Sequence, residues 1–283
     1  MTVSQQTARP AARTEIQAVP LRHPGRWVGA GVLGFVVIFL VQGWVANPRM
    51  QWEVVGEYLF SPAVLSGVGT TLLLTLLAMV VGIAGGVVLA VLRMSPNPLL
   101  SSLSGFYIWV FRGVPLLVQL LFWYFLSAVV PTIGLGVPWG PTFVEFDTNM
   151  IITQLTAAVL GLGLHEAAYM GEIVRAGIAS VDPGQTEAAH ALGLTRAQTL
   201  RKIVLPQAMR VIIPPTGNQV VSMLKTTSLV FAIAVPELLT SIQGIYSRNF
   251  QQVPLLTVAC FWYLVATTVM NAGQHYIERR FSR

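Results

Sequence analysis

The sequence predicts an all-α integral membrane protein, and three observations carry the prediction. Apolar residues make up 54% of the 283-residue chain and charged residues only 10%, giving a mean hydropathy of +0.67. Apolar runs of roughly 20 residues or more recur, the length a helix needs to cross roughly 30 Å of hydrocarbon. Lys and Arg gather on alternate connections, which is the asymmetry that orients a helical membrane protein. The net charge of +6 is therefore assigned to the cytoplasmic membrane face, and nucleic acid is not an expected partner. Cys260, the single cysteine, lies in an apolar run and reads as a small core hydrophobe, with neither a disulfide framework nor a metal site.

Residues 1–26, with Pro10, Pro20, Pro24 and four arginines, read as a cytoplasmic basic tail that either rests on anionic membrane lipid or only solubilises the chain. Residues 27–46 form a first span, retained as an anchor because no small-residue cleavage site follows it. Five further spans follow at 63–92, 106–130, 151–174, 212–235 and 253–273, making six with both termini cytoplasmic. That orientation keeps Arg93, Arg175, Arg196, Arg201, Lys202, Arg210, Arg279 and Arg280 inside and leaves Arg49 and Arg248 outside. The second and third spans exceed what lipid requires, so they tilt or project.

Gly82 and Gly86 give the second span a G-x-x-x-G, the spacing of a close helix contact. Pro115 interrupts the third between Arg112 and Gln119, and Arg112 is expected to meet the backbone groups set free there. Outside, PTIGLGVPWGPTFVEFDTN at 131–149 breaks helix repeatedly and reads as irregular loop. PELLTSIQGIYSRNF at 236–250 spaces Leu238, Leu239, Ile242, Ile245 and Tyr246 for a short helix along the outer interface, serving as gate or as packing.

Between the fourth and fifth spans lies QTEAAHALGLTRAQTLRKIVLPQA, residues 185–208, too charged for lipid. Asp182-Pro183-Gly184 is a turn signal, after which Gln185–Leu192 reads as a short helix with Glu187 at its positive end. Gly193 stops it, and Thr195 with Gln198 has capping-box spacing for a second helix over Arg196–Val204. Ala188, Ala189 and Ala191 give the first helix a face of little volume, suited to close approach by another surface or to packing on the chain's own helix ends.

Glu187-Ala188-Ala189, then Gly193, then Ile203, Leu205 and Pro206 match the signature loop of permease subunits of bacterial ABC importers. FRGVPLLVQL at 111–120, AAYMGEIVRAGI at 167–178, LPQAMRVIIPP at 205–215 and LKTTSL at 224–229 narrow the resemblance to the polar amino-acid uptake branch, over residues 62–281. The resemblance implies the type I ABC importer transmembrane fold, a five-helix core to which 27–46 is added. It implies that the cytoplasmic loop 180–206 couples the chain to a separate ATPase, through Gln185, Glu187, Ala188, Ala189, Gly193, Ile203, Leu205 and Pro206. It also implies a pair of ATPase subunits that bind ATP and Mg, a second permease subunit of the same or a related chain, and an extracytoplasmic amino-acid-binding protein.

The chain itself has no G-x-x-x-x-G-K-[ST], and its lysines, Lys202 and Lys225, follow no glycine-rich loop. HEAAY at 165–169 places Tyr where a zinc motif needs its second His. No catalytic residue, bound cofactor or metal is expected. Ionisable residues at bilayer depth still need a reason. His165, Tyr169 and Glu172 share an arc of the fourth span, flanked by Glu166 and Arg175, while Asn218, Ser222 and Lys225 share a face of the fifth. These stripes either line a path for a zwitterion or lock helices together, with Glu172 pairing to Arg175 or Lys225. The resemblance covers Tyr169, Glu172, Arg175 and Lys225, while the His165-Glu166 pair is less uniform in the family and is read as substrate contact. A self-sufficient transporter driven by an ion gradient is the alternative, but it leaves the helix-Gly-helix loop without a purpose.

Overall fold

The structure is a computed structural model that describes residues 24–137 and 142–281. Residues 1–23 of the expected 1–26 tail and part of the outer loop, 138–141, lie outside the described residues, and the last three residues of that tail belong to the first helix. The chain divides into two units, Met1–Met50 and Gln51–Arg283. In the first, α1 (Pro24–Val45) presents its apolar side chains outward along its length, Trp27 at 82% and Leu33 at 65% exposed. A helix this apolar with none of its hydrophobic stretch buried is suited to lipid.

The second unit is built on two long helices. α2 (Trp52–Leu59) leads into α3 (Pro62–Arg93), whose Pro62 sits in the first turn, where a missing N–H costs nothing. At 1.5 Å per residue α3 runs roughly 48 Å, longer than the lipid it crosses. α4 (Pro98–Gly113) is capped by the Asn97 side chain and α5 (Leu116–Tyr124) follows the Pro115 break, at 101° to it. α6 (Thr148–Ile151) is a single turn, and α7 (Gln154–Ala179), capped by Thr153, packs along α3. α8 (Pro183–Ala191), α9 (Arg196–Thr199) and α10 (Leu205–Thr226) follow, then a 3-10 segment, α11 (Leu238–Asn249) and α12 (Gln252–Phe281).

Among the described residues α1, α3 and α12 are each long and apolar enough to cross a membrane, and counting each of two bent pairs as one span brings the number to five, against the six expected. α7 is not among them, and the polar residues from His165 to Arg175 lower its apolarity. The expected third span, 106–130, is the first bent pair; its helix ends at Tyr124. The expected second loop helix does not stop at Val204. Arg196 to Ile233 is one helical run in which a π turn, Leu200–Val204, joins α9 to α10, so loop helix and span are continuous. Leu205 N–H accordingly reaches back to Leu200 O, and the wider turn precedes Pro206, which has no N–H to offer the ordinary ladder.

The described residues of the outer loop form strands where irregular loop was expected. Thr132–Gly136 (β1) and Thr142–Asp147 (β2) pair antiparallel, Thr132 opposite Asp147, with an irregularity at Leu135/Gly136. The Thr, Phe and Val content of Thr-Phe-Val-Glu-Phe-Asp was the strand signal, outweighed in sequence by the glycines and prolines around it. Cys260 is exposed on α12 rather than in the core; an outward position on a membrane helix meets lipid, so an apolar thiol is at home there.

Core packing follows the helices. Leu74, Ala78, Leu120, Ala158, Leu162 and Ile233 bury together where α3, α5, α7 and the 3-10 segment meet. At the other end Val64, Leu238, Ile242, Leu255 and Val258 join α3, α11 and α12, and Trp262 Nε1 donates to Leu59 O at 2.8 Å. The outer helix is therefore packed, with Leu238 and Ile242 buried.

Candidate functional site: a helix corner and a polar cleft

α8 begins two residues before the sequence suggested, because Asp182 caps it: its carboxylate accepts from Gly184 N–H at 2.8 Å, with Pro183 at the first position. At its other end Gly193 has φ +78°, Gly193 N–H donates to His190 O at 2.9 Å and Leu194 N–H to Ala189 O at 3.0 Å. These two bonds form a Schellman motif and satisfy carbonyls the helix leaves open. Thr195 and Gln198 then close the capping box, Thr195 N–H to Gln198 Oε1 at 2.9 Å and Gln198 N–H to Thr195 Oγ1 at 3.3 Å.

The alanines of α8 do not share one face. Ala189 is 3% exposed and packs inward, while Gln185, Glu187, Ala188 and Ala191 are exposed. Leu192 stands 82% exposed at the corner, a large apolar group in a segment too charged for lipid. Ile203 is half-buried in the π turn, and Leu205 and Pro206 are exposed at the start of α10.

The polar stripe of α7 divides in two. His165, Glu166 and Tyr169 meet Gln219, Ser222, Met223 and Thr226 of α10 around a cleft of about 180 Å³. Glu166 is 4% exposed and its Oε1 has no hydrogen-bond partner. The His165 and Tyr169 rings stand 5.0 Å apart, and Arg112 lies over the Tyr169 face at 5.2 Å, within cation–π range. Glu172 and Arg175 instead pair with each other: Arg175 Nη2 and Nε donate to Glu172 Oε2 at 2.8 and 3.0 Å. They line a separate cavity with Arg93 and Ser101.

On α10 the cleft takes Gln219, Ser222 and Thr226, one position round from the expected Asn218, Ser222 and Lys225. Asn218 accepts from Gln274 Nε2 of α12 at 2.9 Å, and Lys225 is exposed away from the cleft. Gln219 was missed. Its signal was present, since residues 219, 222 and 226 also follow helical spacing, but spacing alone does not choose between adjacent faces.

Gln119 was likewise not assigned. Its Nε2 donates to Phe111 O at 2.9 Å and to Val114 O at 2.8 Å, so this amide, not Arg112, meets the carbonyls at the Pro115 break. The same nitrogen lies 3.2 Å from His165 Nδ1.

A family profile described as the inner membrane component of binding-protein-dependent transport systems matches residues 82–283. The chain is 45% identical over 270 residues to the arginine transport system permease protein of Corynebacterium glutamicum, covering 95% of this chain and 84% of that one. It is 38% identical to a probable amino-acid permease protein of Bacillus subtilis, over 80% of this chain and 96% of the relative. A crystal structure of an amino acid ABC transporter with histidines superposes with a TM-score of 0.66 at 34% identity, covering 78% of this chain and 95% of that one.

Proposed function

Because the chain belongs to the inner membrane components of binding-protein-dependent transport systems, we propose that it moves a polar amino acid inward through the cleft between α7 and α10, driven by a separate ATPase through α8. The chain is a non-enzymatic ABC importer permease subunit of the inner membrane with the helical fold of type I importers, a family that works with ATPase subunits and a substrate-binding protein. Its importer core is 62–281, with 27–46 an added helix and 1–26 a basic tail. Two ATPase subunits bind ATP and Mg; a second permease subunit, the same or related, completes the path.

One observation carries the coupling role. Between two transmembrane elements stands a corner specified at both ends by side chains and a left-handed glycine, presenting Gln185, Glu187, Ala188 and Leu192 outward. A rigid, exposed corner with an apolar tip transmits force from a partner's groove into α7 and α10. The substrate class is drawn from the cleft: a buried carboxylate with an unpartnered oxygen favours an ammonium or guanidinium. A relative named for arginine agrees with a cationic amino acid.

Reconstitution with the partner ATPase and binding protein tests this. Uptake should require ATP inside the ATPase compartment; uptake driven by an ion gradient without ATP overturns the reading.

A further inference from the structure

We propose that an anionic phospholipid of the cytoplasmic leaflet binds beneath the α8 corner, its acyl chain in an apolar groove between α3, α7, α10 and α12 and its phosphate in a basic pocket under α8. The inference does not depend on what passes through the cleft.

The groove holds about 550 Å³, within the roughly 300–1,000 Å³ usual for ligand sites. Ile83 and Val87 of α3, Val174 of α7, Met209 and Ile213 of α10 and Ile277 of α12 line it. Its polar side chains have protein partners: Thr216 Oγ1 donates to Ile212 O at 2.8 Å and Gln274 Nε2 to Glu278 Oε1 at 2.7 Å. Ile83 and Val87 stay 39% and 44% exposed on a helix apolar enough to span, so the groove opens to lipid and not to water.

The pocket holds about 320 Å³ and shares Ile178 and Leu200 with the groove, so the two adjoin. Thr186 and His190 reach it from one face of α8, Arg196 and Thr199 from α9. Two basic side chains and two hydroxyls, with no acidic residue in the lining, form a donor set for an oxyanion. Thr199 is 2% exposed and its Oγ1 has no partner, an arrangement that is unfavourable until a ligand meets it. α7 ends and α10 begins here, at the basic face of the membrane, which is the depth of a phosphate and not of an acyl chain. An apolar groove that meets a basic pocket at headgroup level has the chemistry of one phospholipid. A lipid seated there bridges α8 and α10, the elements that the corner joins.

The test titrates the purified, delipidated permease–ATPase complex in detergent with phosphatidylglycerol, phosphatidylcholine or inorganic phosphate, and follows the unfolding midpoint. Phosphatidylglycerol should stabilise wild type at about tenfold lower content than phosphatidylcholine, and phosphate alone should not replace it. His190→Gln with Arg196→Gln should remove that preference. Val87→Phe fills the groove from an exposed wall and should weaken both lipids. Thr199→Val removes the unmet hydroxyl, so without lipid it should be as stable as wild type or more so, yet gain less from phosphatidylglycerol. Arg210→Gln removes an exposed cation that lines neither cavity and should leave the lipid response unchanged. No stabilisation of wild type by phosphatidylglycerol, equal affinity for the two lipids, or a full shift from phosphate overturns the proposal. So does an undiminished response in Val87→Phe or Thr199→Val, or a loss in Arg210→Gln equal to that of the double variant.

Discussion

A Cβ on Gly82 would stand 2.5 Å from Glu166 Cγ. The carboxylate of the cleft occupies its place because a side chain is missing on the helix behind it, and Gly86 gives Met170 the same allowance. The G-x-x-x-G of α3 is thus the seat of α7, and through it of His165, Glu166 and Tyr169. Gly82→Ala should lower stability by about 1–3 kcal/mol through overpacking and weaken substrate binding as Glu166 is displaced. Gly69→Ala, on the same helix with nothing within 4 Å, is the control and should leave binding unchanged and stability equal or higher, by up to about 1 kcal/mol. Thermal unfolding and substrate titration of the two variants decide it.

Gly193 has φ +78° and nothing within 4 Å of its missing Cβ, so substitution there meets backbone strain alone. Gly193→Val should strain the corner by about 1–2 kcal/mol, leave membrane insertion intact, and abolish ATP-driven uptake. Reconstituted uptake and ATPase stimulation are the measurements; wild-type uptake would remove the coupling role of α8.

Glu237 is fully buried and begins α11. Its carboxylate accepts from Thr240 N–H at 2.8 Å, Tyr263 Oη–H at 2.9 Å and Thr71 Oγ1–H at 3.2 Å, tying α3, α11 and α12 at one point. Glu237→Leu should destabilise by about 3 kcal/mol or more and Tyr263→Phe by about 1.5 kcal/mol, since bonds to a charged acceptor are the stronger kind. The two effects should not add, because the residues share one network. Equal midpoints for wild type and Glu237→Leu in thermal unfolding would contradict this.

Glu166→Gln keeps shape and replaces the carboxyl, whose buried Oε1 has no partner, with an amide that cannot ionise. Affinity for cationic amino acids should fall about tenfold or more, while binding of the ATPase is unchanged. Competition binding across cationic, neutral and acidic amino acids reads the outcome. Loss of subunit assembly without a change in selectivity would place Glu166 in the packing rather than the path.

Arg175 and Glu172 pair within one helix and are both partly open, at 38% and 28% side-chain exposure. Such a pair is screened, so Arg175→Ala should shift stability by about 1 kcal/mol or less. A large loss would show that Arg175 holds more than its neighbour.

What the sequence determined by itself was whatever one or two helical turns decide. Hydropathy set the class, Asp182, Gly193, Thr195 and Gln198 set the corner, and Pro115 marked the break, each through contacts among residues a few positions apart. The outer hairpin was partly legible in the Thr, Phe and Val of its second strand, but the partner strand carries two glycines, which weaken the strand signal. Tertiary structure alone decided that the α7 stripe divides between a cleft and an ion pair. It chose Gln219 over Asn218, because adjacent helical positions differ by only about 100° and Gln274 on α12 engages Asn218. It also brought Gln119 to His165. Periodicity says which residues share a face; where that face points, and what meets it, depends on close packing among helices far apart in the chain.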